Sequence, residues 1–144
     1  MRRYAMFAGA RRARAKRERH APLWEAVAAL MRLLDPHFEY TGVAFTKGFR
    51  GSPHVDTYDI SYQWAVSLGE FEGGKLCIEA GPGEVSVVDT RNRAAKVDGR
   101  FPHWVAPWTG ERFSVIMFKV PVAAFDPTLP MNRIAVRPFL LLSA

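Results

Sequence analysis

From Tyr40 onward the chain is a succession of short apolar runs cut by glycine, proline and aspartate, and this spacing limits the fold more than any other feature. Runs rich in Val, Ile, Phe, Tyr and Trp occupy 42–46, 54–57, 61–68, 75–79, 84–88, 94–97, 103–106 and 112–120. They are separated by Gly51-Ser52-Pro53, Gly69, Gly73-Gly74, Gly81-Pro82-Gly83, Asp98-Gly99 and Thr109-Gly110. Residues of these types supply the backbone angles that tight turns need, and the runs between them suit pleated, half-buried strands. Many short strands at regular spacing predict a sandwich or barrel. The absence of strand–helix alternation argues against a doubly wound α/β sheet.

Ahead of the strands, residues 22–34 read as a helix. Leu23, Val27, Leu30, Met31 and Leu34 recur at spacings of three and four and share one face. Pro22 suits a first helical position, and Asp35-Pro36 ends the helix because a residue before proline avoids the α region. The expected class is therefore mainly β with an N-terminal helix (α+β). Near the C-terminus the apolar stretch 134–142, which contains Pro138, reads as an edge strand or a segment packed on something outside the chain.

The 144 residues suit one domain with its own core, and 49% hydrophobic content argues against disorder. No run approaches the roughly 18 apolar residues of a membrane span. Cys77 is the single cysteine, so no intramolecular disulfide can form and an intracellular, reducing setting is expected. It sits between Leu76 and Ile78 and reads as a buried small hydrophobe.

Charge is unevenly placed. Residues 1–20 carry eight Lys or Arg against Glu18 alone, so the remaining 124 residues are near neutral at −1 of the total +6. The expected organisation is a basic arm over 1–20, disordered or helical, and a single domain over 21–144. A solvated helical lead-in, an organellar targeting peptide and a nucleic-acid contact through residues 2–19 are three competing readings of the arm.

His54-Val55-Asp56 begins the chemistry. Side chains two apart on a strand share a face, so one cation is within reach of both. The third ligand must come from His20, His37 or His103. His20 lies in the basic arm and His37 in a connector, whereas His103 opens the apolar run Trp104-Val105-Ala106. Two His and one carboxylate on one side of a metal make the facial triad of non-haem iron(II) oxygenases, with positions left open. The bland reading is a polar turn at Asp56-Thr57-Tyr58-Asp59, and short motifs of this kind match freely. Arg112 and Ser114 add weight, sharing a face nine and eleven residues after His103. An Arg opening the apolar run Val115-Ile116-Met117-Phe118 is expected to be partly buried and in need of an anion, where its planar fork suits a carboxylate. Surface pairing with Glu111 is the alternative.

Four pieces in this order resemble the 2-oxoglutarate- and iron(II)-dependent oxygenase superfamily: His54-x-Asp56, Phe71-Glu72-Gly73-Gly74-Lys75-Leu76, Asp98-Gly99-Arg100-Phe101-Pro102-His103 and Gly110-Glu111-Arg112-Phe113-Ser114. The resemblance covers roughly residues 41–120. It implies a double-stranded β-helix, a jelly-roll barrel with the metal in its mouth. By that resemblance His54, Asp56 and His103 hold Fe(II), and Arg112 with Ser114 binds the distal carboxylate of 2-oxoglutarate. The implied activity is a dioxygenase (an oxidoreductase) that couples oxidative decarboxylation of this co-substrate to hydroxylation of a C–H bond.

Trp108, in a turn between Pro107 and Thr109, and Tyr58 are the candidates for a substrate pocket, while Trp64 reads as core and Arg50 as solvent-facing. The substrate is left open among small molecules, protein side chains and nucleic-acid bases. Two other classes compete: a catalytically inactive or truncated β-helix binding module, favoured by a length short for the superfamily, and a metal-dependent jelly roll that does without 2-oxoglutarate. Arg112 and Ser114 count against the last, which has no need of a carboxylate clamp.

Overall fold

A computed structural model describes residues 2–7 and 11–121, with side chains from residue 15 onward; the stretch 134–142 lies outside the described residues. Strand β1 (Arg2–Phe7) is followed by helices α1 (Arg11–Arg19) and α2 (Ala21–Leu34). Then come β2 (Gly42–Lys47), β3 (Gln63–Leu68), β4 (Phe71–Gly73), β5 (Leu76–Gly81) and β6 (Glu84–Val88), and after them β7 (Ala95–Val97), β8 (His103–Val105), β9 (Trp108–Gly110) and β10 (Phe113–Phe118). No helix among the described residues is long and apolar enough to cross a membrane.

The strands pair antiparallel throughout. A five-stranded sheet runs β1-β2-β10-β3-β7, a three-stranded sheet runs β6-β5-β8, and β4 and β9 form a short ribbon. Side-chain alternation gives the large sheet two different faces. Val43, Phe45, Val115 and Met117 pack under α2 with Val27, Met31 and Phe38. Val27 and Met31 are the two helix positions that are buried, and each contributes about 1.5–3 kcal/mol by leaving water. On the opposite face Ala65 and Val97 form a second cluster with Leu76, joined by Ile78, Val88 and Ile116, so the large and small sheets face one another. The chain is thus mainly β with N-terminal helices, in a jelly-roll-like sandwich.

Asp35 ties the end of α2 to the sheet. Its backbone N–H caps the helix on Met31 O, and its Oδ2 accepts from Tyr62 Oη at 3.0 Å and Trp64 Nε1 at 3.3 Å. At the other end of the fold, Gly73 and Gly74 take positive φ of 77° and 66°. A Cβ on Gly74 would lie 3.0 Å from Arg112 Nε, so this turn must be glycine for both angle and space.

Three differences from the sequence reading stand out. Residues 54–57 are not a strand; they form a loop with one isolated bridge, His54 to His103. Pro53 denies that segment a donor just before the bridge, and Thr57 and Tyr58 already form a turn. Phe71–Gly73 and Trp108–Gly110 are short strands where turn residues dominate the sequence. The basic arm contributes β1, which pairs with β2, as well as a helix.

Candidate functional site

The loop carrying His54 and Asp56 lies alongside the segment that leads into β8. His54 N donates to His103 O at 3.0 Å, His103 N donates to His54 O at 2.9 Å, and Asp56 N donates to Gly99 O at 2.8 Å. These bonds keep His54 and Asp56 on the same side without a regular strand. One ligand atom from each of His54, Asp56 and His103 falls within 4.8 Å of the others. His103 Nε2 is 3.5 Å from Asp56 Oδ2, and His54 Nε2 is 3.9 Å from Asp56 Oδ1.

Both imidazoles are oriented in the same way. Nδ1 of His54 lies 2.8 Å from Ser52 O, and Nδ1 of His103 lies 2.9 Å from Phe101 O, in each case the carbonyl two residues back. A carbonyl only accepts, so it places the proton on Nδ1 and leaves the Nε2 lone pair free. Metal-binding histidines are commonly held by such a bond on the other ring nitrogen. Asp56 is steadied by Gln63, whose Nε2 donates to Oδ2 at 3.3 Å. Buried Gly99 makes room for this pair, since a Cβ there would come within 2.8 Å of Asp56 Oδ2.

Arg112 immediately precedes β10 and is 4% exposed. Its Nη1 donates to Ser114 Oγ at 2.6 Å and its Nη2 to Ser67 Oγ at 2.7 Å. The register explains this hydroxyl cradle, because Ser114 on the central strand pairs with Ser67 on β3 and with Thr46 on β2. Ser67 Oγ in turn lies 2.8 Å from Thr90 Oγ1. The Phe71 ring covers the guanidinium with its centroid 5.4 Å from Cζ, and Nε has no hydrogen-bond partner. No carboxylate pairs with Arg112 among the described residues. Burial pulls the guanidinium below its usual value, yet an Arg stays protonated at any ordinary pH. A buried, uncompensated cation is costly unless an anion joins it.

The triad and Arg112 share a cavity of about 410 Å³ between the two sheets, also lined by Thr46, Ser67, Thr90 and Ser114. That volume lies in the range of small-molecule sites. Asp59 lines it as well. Burial, with the charges of Asp56 and Asp98 nearby, pushes the Asp59 carboxyl up to about 7.

The sequence-derived residues therefore assemble in one place, with one exception. Tyr58 lines the cavity and is 42% exposed. Trp108 does not line it: β9 pairs with β4 and turns the indole inward to 8% exposure. Arg50, read as solvent-facing, is exposed but also bonds Trp108 O at 3.0 Å and stacks on its ring. Ser67, Thr90, Gln63 and Asp59 escape sequence reading. Ser67 and Gln63 sit inside an apolar alternation that signals core, and Asp59 sits in what looks like a polar turn.

Residues 1–144 match no family model and no curated protein. Among solved structures, the chain is similar to a prolyl-4-hydroxylase from Pseudomonas putida (19% identity, TM-score 0.45), with 83% of this chain and 69% of that chain covered. It is also similar to NgTET1 in complex with 5mC DNA (21% identity, TM-score 0.41), with 58% of this chain covered and only 35% of that one.

Proposed function

We propose that this protein is a 2-oxoglutarate- and iron(II)-dependent dioxygenase. His54, Asp56 and His103 would hold Fe(II), and Arg112 with Ser114 would take the distal carboxylate of 2-oxoglutarate. The observation that carries the reading is the pairing, across one cavity, of a His/Asp/His cluster with a buried guanidinium that has no carboxylate partner among the described residues. Iron and 2-oxoglutarate, when bound, would supply the chemistry that activates dioxygen, the oxidant. Two imidazoles and one carboxylate suit a divalent ion with sites left open for further ligands. The two His–carbonyl bonds select the Nδ1–H tautomer of each neutral imidazole and orient both rings with Nε2 toward Asp56. Gln63 holds the ligating carboxylate, and the Ser67–Ser114 cradle holds the guanidinium fork toward an incoming dianion.

Anaerobic titration with Fe(II) and then 2-oxoglutarate tests the reading through the weak visible absorption of the chelate. The band is expected in the native chain, absent in Asp56→Ala and weakened in Arg112→Ala. A folded, metal-loaded protein that never develops the band points instead to a binding module without this chemistry.

A further inference from the structure

Rows of side chains cross the cavity floor on the large sheet, and their chemistry changes along the central strand β10. The first row is Thr46, Ser114 and Ser67, the hydroxyls around Arg112. The second is Ala44, Ile116 and Ala65. In the third, Gly42 stands opposite Phe118. Gln63, two residues before Ala65, reaches from this level to Asp56, so the His/Asp/His cluster stands beside the third row. Side chains two apart on a strand are separated by about 7 Å. An acid anchored on Arg112 and reaching the cluster therefore lies over the second row and leaves the third uncovered.

That far end is walled by apolar groups. Val120 is held in place by Thr41, whose Oγ1 donates to Val120 O and accepts from Val120 N. Ile60 N donates to Lys119 O at 2.9 Å, which brings the loop carrying Tyr58 to the same end. Phe118, Val120 and Tyr58 all line the cavity. Asp59 belongs to this loop too, but its Oδ2 has no accessible surface and offers nothing to a ligand. Gly42 keeps the end open. A Cβ there would fall 2.5 Å from Phe118 Cε2, so the outer edge of the ring occupies the place of the missing side chain. With a methyl at 42 the ring must lift off the sheet, and the cavity is the space above it.

We infer that this end, walled by Phe118, Val120 and Tyr58, is the substrate subsite, that it takes an uncharged apolar group, a ring or branched alkyl, and that Gly42 sets its size by giving the Phe118 ring room to lie back. The inference rests on the functional reading above, which places the co-substrate at the Arg112 end and the reacting carbon near the cluster. A charged group here would leave water without a partner.

Para-fluoroethylbenzene and para-fluorobenzylamine match in shape and differ in charge. Their binding is followed by fluorine NMR titration of the full chain loaded with zinc and 2-oxoglutarate, which does not turn over. The neutral probe is expected to bind at least tenfold tighter than the amine. Gly42→Ala should weaken it about tenfold, the scale of overfilling a packed space, with 2-oxoglutarate affinity unchanged. Adding Phe118→Leu, a shorter wall, should restore it, a rescue that general destabilisation does not produce. Should Gly42→Ala not fold, Phe118→Trp narrows the same end and carries the same expectation. No binding of the neutral probe, equal binding of the amine, or full affinity in the narrowed variant overturns the inference. If zinc or 2-oxoglutarate does not bind the native chain, the dioxygenase reading fails on its own. The same titrations on metal-free protein then decide the subsite by the same outcomes.

Discussion

Arg112 and Ser67, 45 residues apart in sequence, meet at 2.7 Å between Nη2 and Oγ, and that contact fixes a buried positive charge on hydroxyls instead of carboxylates. Hydroxyl oxygens satisfy hydrogen bonds without cancelling charge. The guanidinium is therefore oriented and still electrostatically unfulfilled, a combination that favours ligand capture over stability.

Stability and co-substrate binding should move in opposite directions at Arg112. Removing an isolated buried cation recovers its desolvation cost, which offsets the hydrogen bonds lost by Ser67 and Ser114. Arg112→Met is expected to melt no lower than the native chain without ligand. It should lose about 2–5 kcal/mol of 2-oxoglutarate binding, roughly thirty-fold or more, because the dianion then enters an unpaired site. Thermal melts with and without 2-oxoglutarate check both halves.

Ser67→Ala removes one acceptor from Arg112 and a partner from Thr90. The expected cost is about 1–3 kcal/mol in stability, from buried groups left unsatisfied. In turnover assays the KM for 2-oxoglutarate should rise more than kcat falls, since the fork loses its aim while His54, Asp56 and His103 are untouched. A fall confined to kcat would contradict this role.

Gly99→Ala tests the packing behind Asp56, the carboxylate proposed to bind metal. The added methyl would meet Gln63 Nε2 and lie 2.8 Å from Asp56 Oδ2, so one of the two must move. Disturbing the support of a ligand typically costs about 10–100-fold in metal affinity. Competition titration with a chelator should show that loss, with circular dichroism unchanged.

Asp35 gives a pH dependence with a definite sign. Burial pushes its carboxyl up, but hydrogen bonds from Trp64 and Tyr62, with the Lys96 charge, outweigh that and hold it below the usual carboxylate range. The unfolded chain then binds more protons than the folded one in the acid window. Stability from this group is present above the ordinary value of about 4 and drains away as pH falls below it. Urea unfolding from pH 6 to pH 3 should show Asp35→Asn less stable than the native chain at the upper end and converging with it at the lower.

Much of this was legible in the sequence, for identifiable reasons. Strands such as Glu84–Val88 and Gly42–Lys47 are long enough for β-rich composition to outweigh their turns. The ribbon of Phe71–Gly73 with Trp108–Gly110 was not, because three-residue strands containing glycine carry turn chemistry and pair only through tertiary contacts. His54, Asp56 and His103 stood out because histidine is scarce in this chain. Ser67 and Gln63 did not, since a polar residue inside an apolar alternation gains meaning only when the register shows what stands opposite. Trp108 was misplaced because a Pro-flanked tryptophan reads as a turn, whereas the backbone pairs it and turns it inward.

The cluster of His54, Asp56 and His103 is split between the two halves of the sandwich. His54 and Asp56 hang from the loop that enters the large sheet at β3, and His103 begins β8 of the small sheet. An ion shared by these three side chains would act as a rivet through the mouth of the sandwich. The spacing of the sheets, and with it the width of the cavity between them, would then follow the supply of metal, so that loss of the ion would loosen the fold in the same step that emptied the site.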